Sequence, residues 1–150
     1  MSIEYRCPRC MGELSNPLER DEQAMAALVT AGAFVALSDG RVDPIERDET
    51  VEYVDRRRLA PTISRRRLAE FFDGQVGRLQ DRDFAELITE SFRPVPRLSL
   101  ACDVIRIAER IAAVDGRIHR NEVQVIALMR LLLMSSSEKN GVVHEPRRRD

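Results

Sequence analysis

The stretch "SDGRVDPIE" at residues 38–46 contains the end of one helix and the start of another. Gly40 tolerates the left-handed backbone that often ends a helix, while Asp43 and Pro44 are typical of an N-cap and a first helical position. Glu46 stands three residues after Asp43, where its carboxylate can accept the N–H of the cap. The stretch therefore predicts a tight turn between two helices.

The same pattern recurs 76 residues later as "VDGRIHRNE" at 114–122. Both copies follow D-G-R-[V/I]-x-x-x-E, and both lie between an Ala-rich helical stretch and another helix. Two copies in equivalent contexts indicate related units, whereas one short match would carry little weight. We therefore predict an all-α fold, a single bundle of about six to seven helices built on two related helix-turn-helix units.

Apolar residues at helical spacing predict where the helices lie along the chain. The first helix begins at Pro17, after an Asn16 cap, and runs to about Ser38; the second begins at Pro44. The remaining predicted helices cover 64–80, 81–92, 98–114 and 121–134. We expect Ile45 to face the core, and we expect much of the last helix to be buried because apolar residues occupy most of its circumference.

Composition and boundaries indicate one globular domain with two short flanks. The 150 residues are 43% hydrophobic and carry a formal net charge of -1, which suits one packed core and gives no overall attraction to nucleic acid or acidic membranes. A Cys-bearing arm occupies 1–16, the helical domain 17–134, and a disordered basic tail 135–150. Without a membrane-spanning or secretory segment in the sequence, we expect a cytoplasmic protein.

The acidic residues around the turns raise the question of a metal. A calcium loop of the EF-hand type needs oxygen ligands at its first and third positions. The residues at those positions are apolar in both copies: Val35, Leu37, Ile111 and Ala113. A conventional calcium site is therefore excluded.

Five carboxylates remain around the two turns: Asp39, Asp43, Glu46, Asp115 and Glu122. One interpretation is structural, since the helix dipole favours a negative charge in the first turn of a helix. The other is a weak, water-rich site for Ca²⁺ or Mg²⁺, because hard cations tolerate retained waters and few carboxylates. The residues alone leave both interpretations open.

The Ala-rich helix, the turn motif and its recurrence resemble the TerB family, in "AGAFVALSDGRVDPIERDETVEYV" (31–54) and "AERIAAVDGRIHRNEVQVIALM" (108–129). This is the tellurite-resistance-type helical domain that is also found at the membrane-proximal end of some bacterial co-chaperones. The resemblance covers about residues 20–134. It implies one all-helical domain without established catalytic activity, with divalent cations proposed at acidic residues around the turns.

The resemblance also implies which residues would bind the cation. By position they are Asp39, Glu46, Asp115 and Glu122. The second turn has His119 and Arg120 where the first has Asp43 and Pro44. It is therefore less acidic, and its role in metal binding is the weaker expectation of the two.

The N-terminal arm contains half of a zinc site. Cys7 and Cys10 form a C-x-x-C pair like one knuckle of a zinc ribbon, but zinc takes four ligands and the pair supplies two thiolates. Cys102 is expected to be a small buried residue of an apolar helix, His144 lies in the tail, and His119 is a lone third candidate. The pair is either completed by a second chain, which would give a zinc-linked homodimer, or degenerate, or completed by a partner.

Three Arg triplets, at 56–58, 65–67 and 147–149, are expected to be solvated and balanced by nearby acidic residues. No aromatic residues interleave with them to stack on bases, which disfavours nucleic acid as a ligand. Two histidines and no nucleophile pattern disfavour an enzyme.

Our leading hypothesis is therefore a non-catalytic, TerB-like scaffold of a bacterial stress response, which binds a protein partner that could lie at a membrane surface. The alternative is a zinc-dependent interaction or nucleic-acid-binding module that uses the cysteine pair and the Arg triplets.

Overall fold

A computed structural model describes residues 16–38, 40–92, 98–114, 116 and 119–138. Every regular element among these residues is helical, which confirms the all-α prediction. Six helices follow one another in the described chain: α1 (Pro17–Leu37), α2 (Pro44–Arg56), α3 (Arg65–Gln80), α4 (Phe84–Phe92), α5 (Leu98–Ala112) and α6 (Arg120–Glu138). None of these described helices is long and apolar enough to cross a membrane.

α1 is the central helix of the bundle and contacts each of the other five described helices. Every residue from Ala27 to Ala36 is buried. The sequence predicted one buried stripe, but the structure covers all sides of this stretch, because its many small residues let the neighbouring helices approach. The ring of Phe34 lies 5.7 Å from that of Phe92, centroid to centroid, which joins α4 to the same core.

α1 and α2 approach each other closely at Gly32. A β-carbon placed on Gly32 would lie 2.5 Å from Oγ1 and 2.6 Å from Cγ2 of Thr50, a buried residue of α2. The Thr50 hydroxyl donates to the carbonyl of Glu46 at 2.7 Å, which holds the side chain in this position. The missing side chain of Gly32 therefore sets how closely the two helices pack.

Ion pairs hold α3 antiparallel to α2. Near the start of α2, the guanidinium of Arg47 donates two hydrogen bonds to the Asp73 carboxylate, at 2.7 and 2.8 Å. Near the end of α2, Arg65 of α3 pairs with Glu52 and with Asp55. The hydrogen bonds from Arg47 hold the pKa of Asp73 below its ordinary value.

Two expectations about burial were wrong. Ile45 is 60% exposed instead of facing the core, because it lies in the first turn of α2, where the two preceding residues are exposed as well. Cys102 is exposed on α5 instead of buried. Val104 and Ile111 are on the buried face of α5, and helical geometry places Cys102 on the side away from them.

α6 differs from its prediction in burial and in length. It buries Val125 and Met129, but Leu131 and Met134 are 69% and 70% exposed, so the core covers only one face of the helix. It also continues to Glu138, beyond the boundary expected at 134. Extending an existing helix adds one hydrogen bond for each residue fixed, so the three serines do not end it.

Replacing Gly32 by Ala should destabilise the protein, because the added methyl group overlaps Thr50 and must push α1 and α2 apart. We expect the free energy of unfolding to fall by about 1–3 kcal/mol in chemical denaturation. Gly74→Ala is the matched control, since a β-carbon at Gly74 in α3 meets no atom within 4 Å. Removing this helical glycine should raise the free energy of unfolding by about 0.5–1 kcal/mol. Equal stabilities of the two variants would contradict the close approach.

The Arg47–Asp73 pair should contribute pH-dependent stability. Because the pKa of Asp73 is lowered in the folded protein from an unfolded value of about 3.9, the contribution is present above that pH and is lost as the pH falls through the folded pKa. Asp73→Asn should cost about 0.2–1 kcal/mol at neutral pH, since both side chains are partly exposed. Urea unfolding of both proteins should show this difference shrink as the pH is lowered through the folded pKa of Asp73. A constant difference across the pH range would refute the assignment.

Candidate functional site

The first turn reverses the chain between α1 and α2. Gly40 has a φ of +85°, a left-handed conformation that residues with side chains rarely adopt. Its N–H donates to the carbonyl of Leu37 at 2.9 Å and closes the end of α1. Asp43 then caps α2 as predicted, with Oδ1 accepting the N–H of Ile45 at 3.0 Å, and Pro44 opens the helix.

The second turn has the same backbone geometry. Gly116 has a φ of +75°, and its N–H donates to the carbonyl of Ala113 at 3.1 Å. His119 stands in the place of Asp43, and Arg120 begins α6 as Pro44 begins α2. The described backbone of the two turns is therefore alike, as the repeat in the sequence predicts.

A buried glutamate completes each turn. Glu46 is 6% exposed and Glu122 is 1% exposed. In each glutamate, Oε2 accepts the N–H of the residue that precedes the helix: that of Asp43 at 3.0 Å, and that of His119 at 2.8 Å. An ionised group is expensive to bury unless it is hydrogen-bonded, so this bond and the burial depend on each other. The two glutamates therefore fasten each turn to the helix that follows it.

The two turns lie at the same end of the bundle. Val114, in the second turn, lines a surface depression together with Arg41 and Glu46 of the first. Ser38 of the first turn also lines a groove with Asn121 at the start of α6. The fold therefore brings carboxylates from both copies of the motif to one end of the molecule.

The described residues of the turns do not form a complete metal site. Within the described part of the chain, no three side chains of His, Cys, Asp and Glu are grouped so that they could hold an ion. Oε2 of Glu46 and Oδ1 of Asp43 already accept backbone N–H groups, which uses part of their capacity to bind an ion. Asp39 and Asp115 lie outside the described residues, so their role as ligands stays a prediction.

The predicted zinc half-site also stays a prediction, because Cys7, Cys10 and His144 lie outside the described residues. Of the other two candidate ligands, Cys102 is exposed on α5 and His119 is exposed beside the second turn.

Four of the six arginines in the triplets 56–58 and 65–67 pair with acidic residues. The ion pairs are Arg56–Glu52, Arg65–Glu52, Arg65–Asp55, Arg66–Glu70 and Arg67–Glu22. Arg57 instead lies over the ring of Tyr53, with its guanidinium carbon 4.6 Å from the ring centroid. These pairs reduce the positive potential that would attract phosphates. The triplet at 147–149 lies outside the described residues.

Sequence reasoning missed one buried polar contact and one cap. Asp21 is 7% exposed and accepts the N–H of Thr62 at 2.8 Å, which fixes the loop after α2 to α1. The partners are 41 residues apart, so no local pattern indicates the bond. The bond from His119 to Glu122 could have been found, because its three-residue spacing is that of a capping box, although His119 supplies only its backbone N–H.

One family matches most of the chain. The family described as "Tellurite resistance protein TerB" covers residues 22–140. The match contains both turns and all of the described helices except the first residues of α1. No curated protein and no solved structure gives a match.

If the buried glutamates serve as caps, removing either should destabilise the protein to a similar extent. Glu46→Ala and Glu122→Ala should each lower the free energy of unfolding by about 1–2 kcal/mol, because a backbone N–H loses its acceptor. Glu46→Gln and Glu122→Gln should cost less, since the amide oxygen can accept the same bond.

Asp48→Ala is the matched control for these variants, because its carboxylate is on the same helix as Glu46 and its side chain is 80% exposed. Its effect should stay within about 0.5 kcal/mol. Denaturant unfolding with and without a chelator separates a cap from a structural metal. A loss that disappears in the chelator would refute the capping role.

Proposed function

The chain belongs to the TerB family, and on this basis we propose that it serves a tellurite-resistance-type stress response in bacteria. In this proposal the domain is non-catalytic and acts as a scaffold that binds other proteins. Its two acidic turns bind a divalent cation weakly, and the bound cation stabilises the end of the bundle at which the turns lie.

The observation that supports this proposal most is the position of the turns. Val114 of the second turn and Glu46 of the first line one depression, so the two copies of the motif face a common region of solvent. In this proposal, acidic residues of both copies act on the same ion or its waters, so that their attraction for a cation adds. The duplicated sequence by itself does not require the two turns to be neighbours.

Asp39 and Asp115 are the residues that we propose as main ligands, since each directly precedes the glycine of its turn. Asp43, Glu46 and Glu122 take part as secondary ligands, because part of their hydrogen-bonding capacity is already used by the helix caps. A hard cation such as Ca²⁺ or Mg²⁺ keeps most of its waters in such a site. We therefore expect a dissociation constant of about 10⁻⁴–10⁻³ M.

The turns should give the protein a cation-dependent melting temperature. At a cation concentration about ten times the dissociation constant, binding stabilises the folded state by about 1.4 kcal/mol. For a chain of this size that corresponds to a rise in Tm of about 3–6 °C. Thermal unfolding in Ca²⁺ or Mg²⁺, with Na⁺ at equal ionic strength as the reference, measures the shift.

Asp39→Asn should abolish this shift, because it removes a proposed ligand without changing the size of the side chain. Asp48→Asn should keep the shift, since Asp48 is an exposed carboxylate of the same charge on α2. Loss of the shift in both variants would show that the cation only screens surface charge. No shift in the unmodified protein would overturn the cation-binding part of the proposal.

A further inference from the structure

An apolar stripe runs along the outer face of α6. It consists of Val123, Ala127, Leu131 and Met134, which we call the α6 stripe. Val123 is 53% exposed, Leu131 69% and Met134 70%, and Ala127 is exposed as well. The spacing of four, four and three residues keeps these side chains on one face of the helix, as in a coiled-coil seam. The stripe does not depend on the proposed cation binding.

The equivalent face of α2 is covered. Residues 76 positions earlier than the first three members of the stripe are Arg47, Val51 and Asp55. On α2, Arg47 pairs with an aspartate of α3, Asp55 pairs with an arginine of α3, and Val51 between them is 6% exposed. In the first unit, therefore, a helix packs antiparallel along this face. The repeat indicates that the same face of α6 is suited to a helix.

The sequence of residues 139–150 does not predict a helix that could cover this face. It contains Gly141 and Pro146, and it lacks apolar residues at helical spacing. A partner for the α6 stripe is therefore best sought in a second molecule.

We infer that the α6 stripe is a homodimer interface, in which α6 pairs antiparallel with α6 of a second copy. A two-fold axis at Ala127 places Val123 of each chain opposite Leu131 of the other. The corresponding α2 positions are charged and meet opposite charges on α3, whereas in α6 both positions are apolar and complement each other. A two-fold interface requires this self-complementarity. The small side chain of Ala127 lets the helix axes approach at the crossing point.

Polar residues beside the stripe also match under this symmetry. Gln124 of one chain lies opposite Arg130 of the other. The Arg130 guanidinium pairs with Glu109 of its own chain and has further N–H groups that the Gln124 amide oxygen can accept. At the end of the stripe, Met134 lines a groove with Cys102 and Ile105, so the apolar surface continues onto α5. The stripe is short, and small interfaces give weak, transient pairs. We therefore expect a dissociation constant on the order of micromolar.

Sedimentation of the full chain over a concentration series tests the inference. The unmodified protein should change from monomer to dimer across the micromolar range. Leu131→Glu should weaken the dimer by at least about tenfold, because it places a charge in the apolar seam. Ile45→Glu is the matched control, since Ile45 is a similarly exposed aliphatic residue on α2. It should leave the dimer unchanged, and both variants should keep the helical circular dichroism of the unmodified protein.

A disulfide trap tests the two-fold axis directly. In a chain whose three cysteines are replaced by serine, Ala127→Cys should form a disulfide-linked dimer on oxidation, because the axis brings the two β-carbons together. Ala26→Cys, an exposed position on α1, should not. Equal cross-linking of the two variants would refute the arrangement.

Other occupants of the stripe give distinct results, each of which overturns the inference. If the protein stays monomeric at all concentrations, the stripe binds a partner other than a second copy. If the protein dimerises only after residues 139–150 are removed, its own C-terminal segment covers the stripe. A dimer that resists Leu131→Glu but dissociates in a zinc chelator is joined through the cysteine pair.

Discussion

Each turn depends on a nearly buried carboxylate that accepts the backbone N–H of the residue before the next helix. The left-handed backbone of Gly40 lets the chain reverse after α1, and in the first turn of α2 the Glu46 carboxylate accepts the N–H of Asp43. Burying a carboxylate without a hydrogen-bond partner would be costly, so this bond and the burial of Glu46 depend on each other. Glu122 and Gly116 repeat the arrangement. The direction in which α2 leaves α1, and α6 leaves α5, follows from these local bonds.

The two units share this turn but differ in what covers the second helix. In the first unit, α3 returns along α2 and is fastened by Arg47 and Arg65. In the second unit, exposed apolar residues such as Leu131 occupy positions that are charged in α2. Charged side chains are well solvated when exposed, and when paired they select a partner of opposite charge. Apolar side chains stabilise a protein only when they are removed from water. The composition of the two faces therefore fits an internal partner in one unit and an external partner in the other.

Features that depend on residues within four positions could be predicted from the sequence, and features that depend on distant elements could not. The caps and the glycine turn belong to the first group, and so does the role of Glu46. The exposure of Ile45, Cys102 and Met134 belongs to the second, because hydrophobic spacing shows which face is apolar but not what lies opposite it. Likewise, the repeat predicted two similar turns, but only the packing of α1 against α5 and α6 makes them neighbours.

The acidic character of the turns also limits how such a domain could act on tellurite, which is an oxyanion. Carboxylates repel an anion at any distance at which they could contact it, and the Arg triplets of α2 and α3 are largely engaged with acidic side chains. A bound divalent cation would reverse the local sign, because it carries the largest charge in such a site. The turns could therefore bind an oxyanion only through a bound cation. Without one, the acidic turns offer no favourable contact to the oxyanion.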